Sequence, residues 1–165
     1  AGPMLSRFDQ TIGGLRSAGS QVVLFRFADV TRRLPGRRIT LPRVTLLNRA
    51  VQQTADKHGA ILVDLLADDE FDNPLLWSVD RLHLSTTGHQ RVAAHVLRAL
   101  EVAPDPAWWE VPPRAPHPTW LAARRADALW VRQYFAPWVH RRLTGGSSGD
   151  TRVAKRPELA PLIQP

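Results

Sequence analysis

The chain of 165 residues has 44% hydrophobic side chains, enough for a domain with a core of its own and too many for a disordered polypeptide. It contains no cysteine, which excludes disulfides, thiolate metal sites and a cysteine nucleophile. The net charge of +7 suggests nucleic acid until it is located: residues 1–113 carry 13 basic and 12 acidic side chains, whereas residues 114–156 carry nine Arg or Lys against Asp127 and Asp150. The charge therefore belongs to a tail.

Leu5, Phe8, Ile12 and Leu15 recur at helical spacing and predict an amphipathic helix ending near Gly13-Gly14 or Gly19. Gln21–Phe25 is a short continuous apolar run, as expected of a strand buried on both faces. An Arg-, Pro- and Gly-rich loop is expected from Thr31 to Pro42, then a helix from about Val44 to His58 closed by Gly59, then a second buried strand over Ile61–Leu65. This alternation predicts parallel β-α-β packing of the doubly wound α/β kind.

An acidic, turn-rich stretch from Ala67 to Pro74 leads into Trp77-Ser-Val-Asp80-Arg-Leu-His83-Leu-Ser-Thr-Thr-Gly88-His89. Ser85 or Thr86 is placed to cap the following helix, with Val92, Val96, Leu97 and Leu100 on its buried side. Pro104, Pro106, Pro112, Pro113, Pro116 and Pro118 mark a linker in which no helix or central strand persists. Beyond it, Trp120–Phe135 has helical spacing, with Trp130, Tyr134 and Trp138 on one side and arginines around them, and Pro137 is expected to end or kink the helix before a shorter one reaches Leu143. The expected division is a partial doubly wound α/β domain over 1–102, a linker over 103–118, a basic amphipathic extension over 119–144 and a flexible tail over 145–165.

Imidazole titrates near neutrality, so a histidine can take a proton from a serine hydroxyl and return it to a leaving group. A carboxylate three residues earlier on a turn can reach Nδ1, fix the tautomer and stabilise the imidazolium. Asp80 is accordingly read as the orienting carboxylate and His83 as the general base and acid, and their position beyond a strand's C-terminal end is where open α/β sheets place sites. His89 is read as a structural residue packing under the loop.

The segment around Asp80, His83 and Gly88-His89 resembles the last sequence block of the SGNH (GDSL-type) serine hydrolases, and the likeness extends over about residues 4–102. The tail, with Trp-Leu-Ala-Ala-Arg-Arg at 120–125, Ala-Pro-Trp-Val at 136–139, Ser-Ser-Gly-Asp at 147–150 and Lys-Arg-Pro at 155–157, is similar to the extension of actinobacterial members. The resemblance implies the C-terminal half of a flavodoxin-like, three-layer α/β/α fold with an added helical tail, and an ester hydrolase (acylhydrolase) activity toward small acylated substrates. It also implies a Ser-His-Asp triad of which this chain holds two members. The family's Gly-Asp-Ser and Gly-x-Asn-Asp motifs, which supply the nucleophile and oxyanion donors, are absent from the 165 residues. The chain is therefore expected to be inactive alone and to self-associate through an exposed sheet edge.

Gly145-Gly-Ser147-Ser-Gly149 satisfies the Gly-x-Ser-x-Gly pattern of a nucleophile elbow, but it follows a helix and precedes a polar tail, so its glycines read as a helix stop and linker. Nothing in the sequence calls for a cofactor or a metal. No apolar run approaches the ~20 residues of a membrane span, and the first residues lack the features of a signal peptide, which points to a cytoplasmic product. The aromatic face of the basic extension is expected to pack on the body with its arginines solvated and no specific nucleic-acid ligand. The alternative reading is a non-catalytic module that binds nucleic acid or anionic surfaces through that Arg-rich helix.

Overall fold

A computed structural model describes residues 2–34, 36–114, 116, 118–146 and 153. The chain divides into two compact units, residues 1–115 and 116–165.

The first unit is mixed α/β. Helix α1 (Gly2–Ser17) is followed by strand β1 (Val23–Arg26), helix α2 (Arg37–His58), strand β2 (Ile61–Asp64) and helix α3 (Thr86–Ala99). The strands pair in parallel, Val23 opposite Ile61 through Arg26 opposite Asp64, as the two apolar runs predict. Alternation of side chains along them builds two cores. Leu24, with Val22 and Leu62, joins Ile12 of α1 and Val51 and Ala55 of α2; Val63 and Leu65, with Val23 and Phe25, join Phe71, Leu76 and the α3 residues Val92 and Val96. Helices thus cover both faces of the sheet.

Helix α2 begins seven residues earlier than the sequence suggests, and Pro42 lies inside it. Gly36, left-handed at φ 80°, turns the chain into the helix, and its carbonyl accepts from Ile39 and Thr40. Pro42 removes only the bond to the Arg38 carbonyl, and both residues are exposed, so water can take up that carbonyl. Gly59 closes the helix with φ 62°, as expected of a glycine C-cap. Gly13 serves contact: a Cβ there would stand 2.9 Å from the His58 ring, which hydrogen-bonds Asp9 at 2.9 Å and ties α1 to the end of α2.

The proline-rich segment lies along the first unit. Residues Pro106–Trp109 form a 3-10 turn, the Asn73 side chain donates to the Pro112 carbonyl at 2.8 Å, and Val111 joins the second core.

The second unit contains helix α4 (Trp120–Trp130), a π-helical turn over Val131–Phe135 and helix α5 (Ala136–Thr144). Thr119 caps α4 through the Ala122 amide. Pro137 sits in the first turn of α5, where its missing N–H is least costly. The wide turn just before it takes up the proline ring that a continuous α-helix would crowd. The expected flexible tail falls largely outside the described residues, Ser147 and the Gly-x-Ser-x-Gly pattern included.

Candidate functional site

The loop after β2 is built by short-range side-chain capping. Asp68 accepts from the Glu70 amide and Asn73 from the Leu75 amide, starting two successive 3-10 turns over Asp69–Asp72 and Pro74–Leu76. The chain then doubles back: Trp77 and Leu84 form an antiparallel bridge, and the Ser78 amide donates to the His83 carbonyl at 2.8 Å. Between them Arg81 takes a left-handed conformation, φ 63°, unusual for a residue with a side chain.

At the tip of this loop, Asp80 and His83 meet as the sequence predicts. The Asp80 Oδ2 to His83 Nδ1 distance is 2.5 Å, and Asp80 Oδ1 accepts from the Leu82 and His83 amides, each at 3.0 Å. The carboxylate is thereby locked by its own loop. Burial by itself pushes the Asp80 carboxyl up, but the hydrogen bonds from the His83 ring and then from the His83 and Leu82 amides outweigh it and hold the carboxyl below its ordinary range. A group that ionises readily and accepts from Nδ1–H leaves Nε2 as the basic nitrogen of the ring. The His83 side chain is 81% exposed against 22% for Asp80, and Nε2 has no hydrogen-bond partner among the described residues. Val79 and Leu82, both exposed, give the rim of the loop an apolar character.

The loop is anchored below. Ser85 caps α3 by accepting from the Gly88 amide, and its hydroxyl donates to the Leu75 carbonyl at 2.7 Å, so this serine is committed to structure. Gly88 carries the tightest contact of the site, since a Cβ there would lie 2.0 Å from the Leu76 carbonyl oxygen. Trp77 Nε1 donates to the Phe71 carbonyl, which also accepts from Arg33, and the Arg33 guanidinium lies 5.0 Å from the Trp77 ring centroid. Desolvation lowers the Arg33 pKa to about 10, still charged at neutral pH. His89 differs from expectation: it is exposed and does not pack under the loop.

A second carboxylate–histidine contact lies deeper, and sequence reasoning missed it. Asp68 accepts two hydrogen bonds from Arg91, at 2.6 and 2.9 Å, and one from His95 Nε2 at 2.7 Å. Arg98 reaches His95 Nδ1 at 3.1 Å, and Arg91 also donates to the Trp109 carbonyl. A guanidinium only donates, so Nδ1 of His95 must accept, and both ring nitrogens are consumed. Burial pushes the Asp68 carboxyl up, and the bonds from Arg91 and then His95 bring it below its ordinary range. With every polar group matched and Trp109 edge-on to His95, this is a structural node that holds the loop, α3 and the proline-rich segment together. The signal in the sequence was the spacing of Arg91, His95 and Arg98 along one helix.

A cleft of about 390 Å³ opens beyond the C-terminal end of β1, lined by Arg26, Asp29, Val44, Asn48, Arg49 and Leu66 among others. Neither Asp80 nor His83 lines it. Among the described residues no group of three or more His, Asp or Glu side chains could hold a metal ion, and no helix is long and apolar enough to cross a membrane.

No protein-family model, curated protein or solved structure matches the chain. The fold and site together define a mixed α/β unit with parallel strands, covered by helices on both faces, that presents a locked Asp-His pair on the loop following β2.

Proposed function

We propose that Asp80 and His83 are the orienting carboxylate and the general base of an SGNH-type serine ester hydrolase, an acylhydrolase whose nucleophilic serine is supplied by a segment other than these 165 residues. The observation that carries the reading is the 2.5 Å contact from Asp80 to Nδ1 of a ring that is otherwise exposed, which leaves Nε2 basic and accessible. In such a centre Nε2 takes the serine proton as the hydroxyl oxygen attacks the ester carbonyl carbon. The imidazolium, stabilised by Asp80, then gives that proton to the departing alkoxide. Water repeats the sequence on the acyl-enzyme with His83 again as base, releasing the acid and restoring the serine.

Three features support this over a purely structural Asp–His contact. The pair stands on the loop beyond the C-terminal end of a parallel strand. The His83 ring is exposed with Nε2 unengaged among the described residues, unlike His95, whose ring is buried with both nitrogens engaged. Finally, Asp80 is held by the Leu82 and His83 backbone amides as well as by the ring, so the carboxylate is positioned independently of the imidazole.

The test is complementation. The chain is joined to an N-terminal SGNH half carrying Gly-Asp-Ser and Gly-x-Asn-Asp, and hydrolysis of an aryl acetate is followed. Turnover that appears on joining and is lost in His83→Ala supports the assignment. Turnover that survives His83→Ala, or a folded fusion with none, rejects it.

A further inference from the structure

We infer that the C-terminal helical unit is a peripheral docking surface for anionic lipid bilayers, an inference that does not rest on Asp80 and His83. Within the second unit the aromatic side chains differ in exposure. Trp130 is buried, whereas Trp120 is 72% and Trp138 53% exposed. The π-helical turn organises what remains. Its i to i+5 bond, from the Ala136 amide to the Val131 carbonyl, sets Phe135 over Trp130 instead of around the helix. Trp130, Phe135 and Trp138 consequently stack, with centroids 6.0 and 5.9 Å apart.

Aliphatic side chains decide the class of partner. Leu121, Leu129, Val131 and Leu143 are all exposed, and exposed arginines 124, 125, 132 and 142 interleave with them. Bases would stack on the tryptophans and phosphates would pair with the arginines, but a nucleic acid gains nothing from four bare aliphatic groups. The interface of an anionic bilayer takes all three at once. Leucine and valine enter the acyl boundary, tryptophan settles at the headgroup level, and arginine stems lie along the apolar surface with their guanidinium groups at the phosphates. Charge agrees, since residues 120–144 hold five arginines against Asp127 alone. With no spanning helix among the described residues, the attachment is in plane and reversible.

The experiment uses the full chain and vesicles of phosphatidylcholine alone or mixed with phosphatidylglycerol. Cosedimentation and a blue shift of tryptophan emission are expected with the mixed vesicles only, weakening as salt rises. The charge variant Arg125→Gln/Arg132→Gln/Arg142→Gln should lower the partition coefficient roughly fivefold per arginine. The apolar variant Leu129→Ser/Leu143→Ser should lower it with charge unchanged, circular dichroism confirming the fold of both. Equal binding to both vesicle types, or none, overturns the inference. So does duplex DNA that displaces the chain from vesicles without loss in the apolar variant, or a dimer in sedimentation velocity that the apolar variant dissolves, since the face would then belong to nucleic acid or to a second copy.

Discussion

Gly88 and Leu76 bring backbone against backbone at the first turn of α3: a Cβ on Gly88 would stand 2.0 Å from the Leu76 carbonyl oxygen. The same carbonyl accepts from the Ser85 amide at 2.9 Å, so it cannot move aside without releasing the cap of the helix. Gly88→Ala should cost about 3 kcal/mol or more, at or beyond the upper end of ordinary overpacking because backbone, not a flexible side chain, would have to yield. Urea unfolding of the variant measures it, and a loss below about 0.5 kcal/mol would refute the contact.

Two histidines should show opposite tautomers in their neutral rings. His83 donates from Nδ1 to Asp80, whereas His95 must accept at Nδ1 from Arg98 and donate from Nε2 to Asp68. Long-range proton–nitrogen NMR distinguishes the two patterns directly. A shared tautomer would mean that one of the two networks is wrongly described.

Acid should weaken the first unit through several carboxylates at once. Asp29, Asp68 and Asp80 are all held below their ordinary range: burial pushes each up, and hydrogen bonds, led by Thr31, Arg91 and His83 respectively, more than offset it. A depressed folded pKa gives stability that is present above the unfolded value, ~pH 4, and lost as pH falls through the folded values. Unfolding midpoints should therefore be level above about pH 5 and fall below about pH 4, less steeply in Asp68→Asn. A decline that begins near neutrality would contradict this origin.

Arg91→Met removes one partner of a pair whose side chains are each only 10% exposed, leaving Asp68 with the His95 ring and the Glu70 amide and no guanidinium. The expected loss is about 3–5 kcal/mol, the cost of stranding a buried charge. Hydrogen exchange should rise over Asp69–Leu76 and Pro106–Val111 together, because Arg91 reaches both. Faster exchange in one segment only would separate what the network is said to join.

In the complemented hydrolase, Asp80→Asn should cut turnover heavily, since an amide can hold the ring in the wrong tautomer and cannot stabilise the imidazolium; the corresponding change in a serine protease costs ~10⁴-fold. His89→Ala, at an exposed position, should change turnover and stability by no more than about twofold. Equal damage from His89→Ala and His83→Ala would move the base to His89.

What the sequence disclosed was local. The parallel strands, the Ser85 cap and the meeting of Asp80 with His83 depend on residues within a few positions of each other or on unbroken apolar runs. The start of α2 was hidden because proline removes one bond and only tertiary packing shows whether that bond is missed. The Asp68 node was hidden because its members are 23 to 27 residues apart, and no period in a sequence encodes which arginine a carboxylate will find. His89 was misjudged because a motif gives a residue's company without its direction.

Asn48 carries a consequence for how far the sheet can extend. The Ile61 and Leu65 amides bond the Val22 and Arg26 carbonyls, so residues 22, 24 and 26 address β2 while Val23, Phe25 and Phe27 turn their amides and carbonyls to the far edge. Asn48 takes both polar groups of Phe27, each at 2.8 Å, standing in for a strand that is not there. Only two rungs, Val23 and Phe25, are left open on that edge among the described residues, and a newcomer zipping along β1 meets a closed terminus. A single amide side chain thus closes this edge at Phe27, so a strand added along β1 finds its backbone partners only on the N-terminal side of that residue.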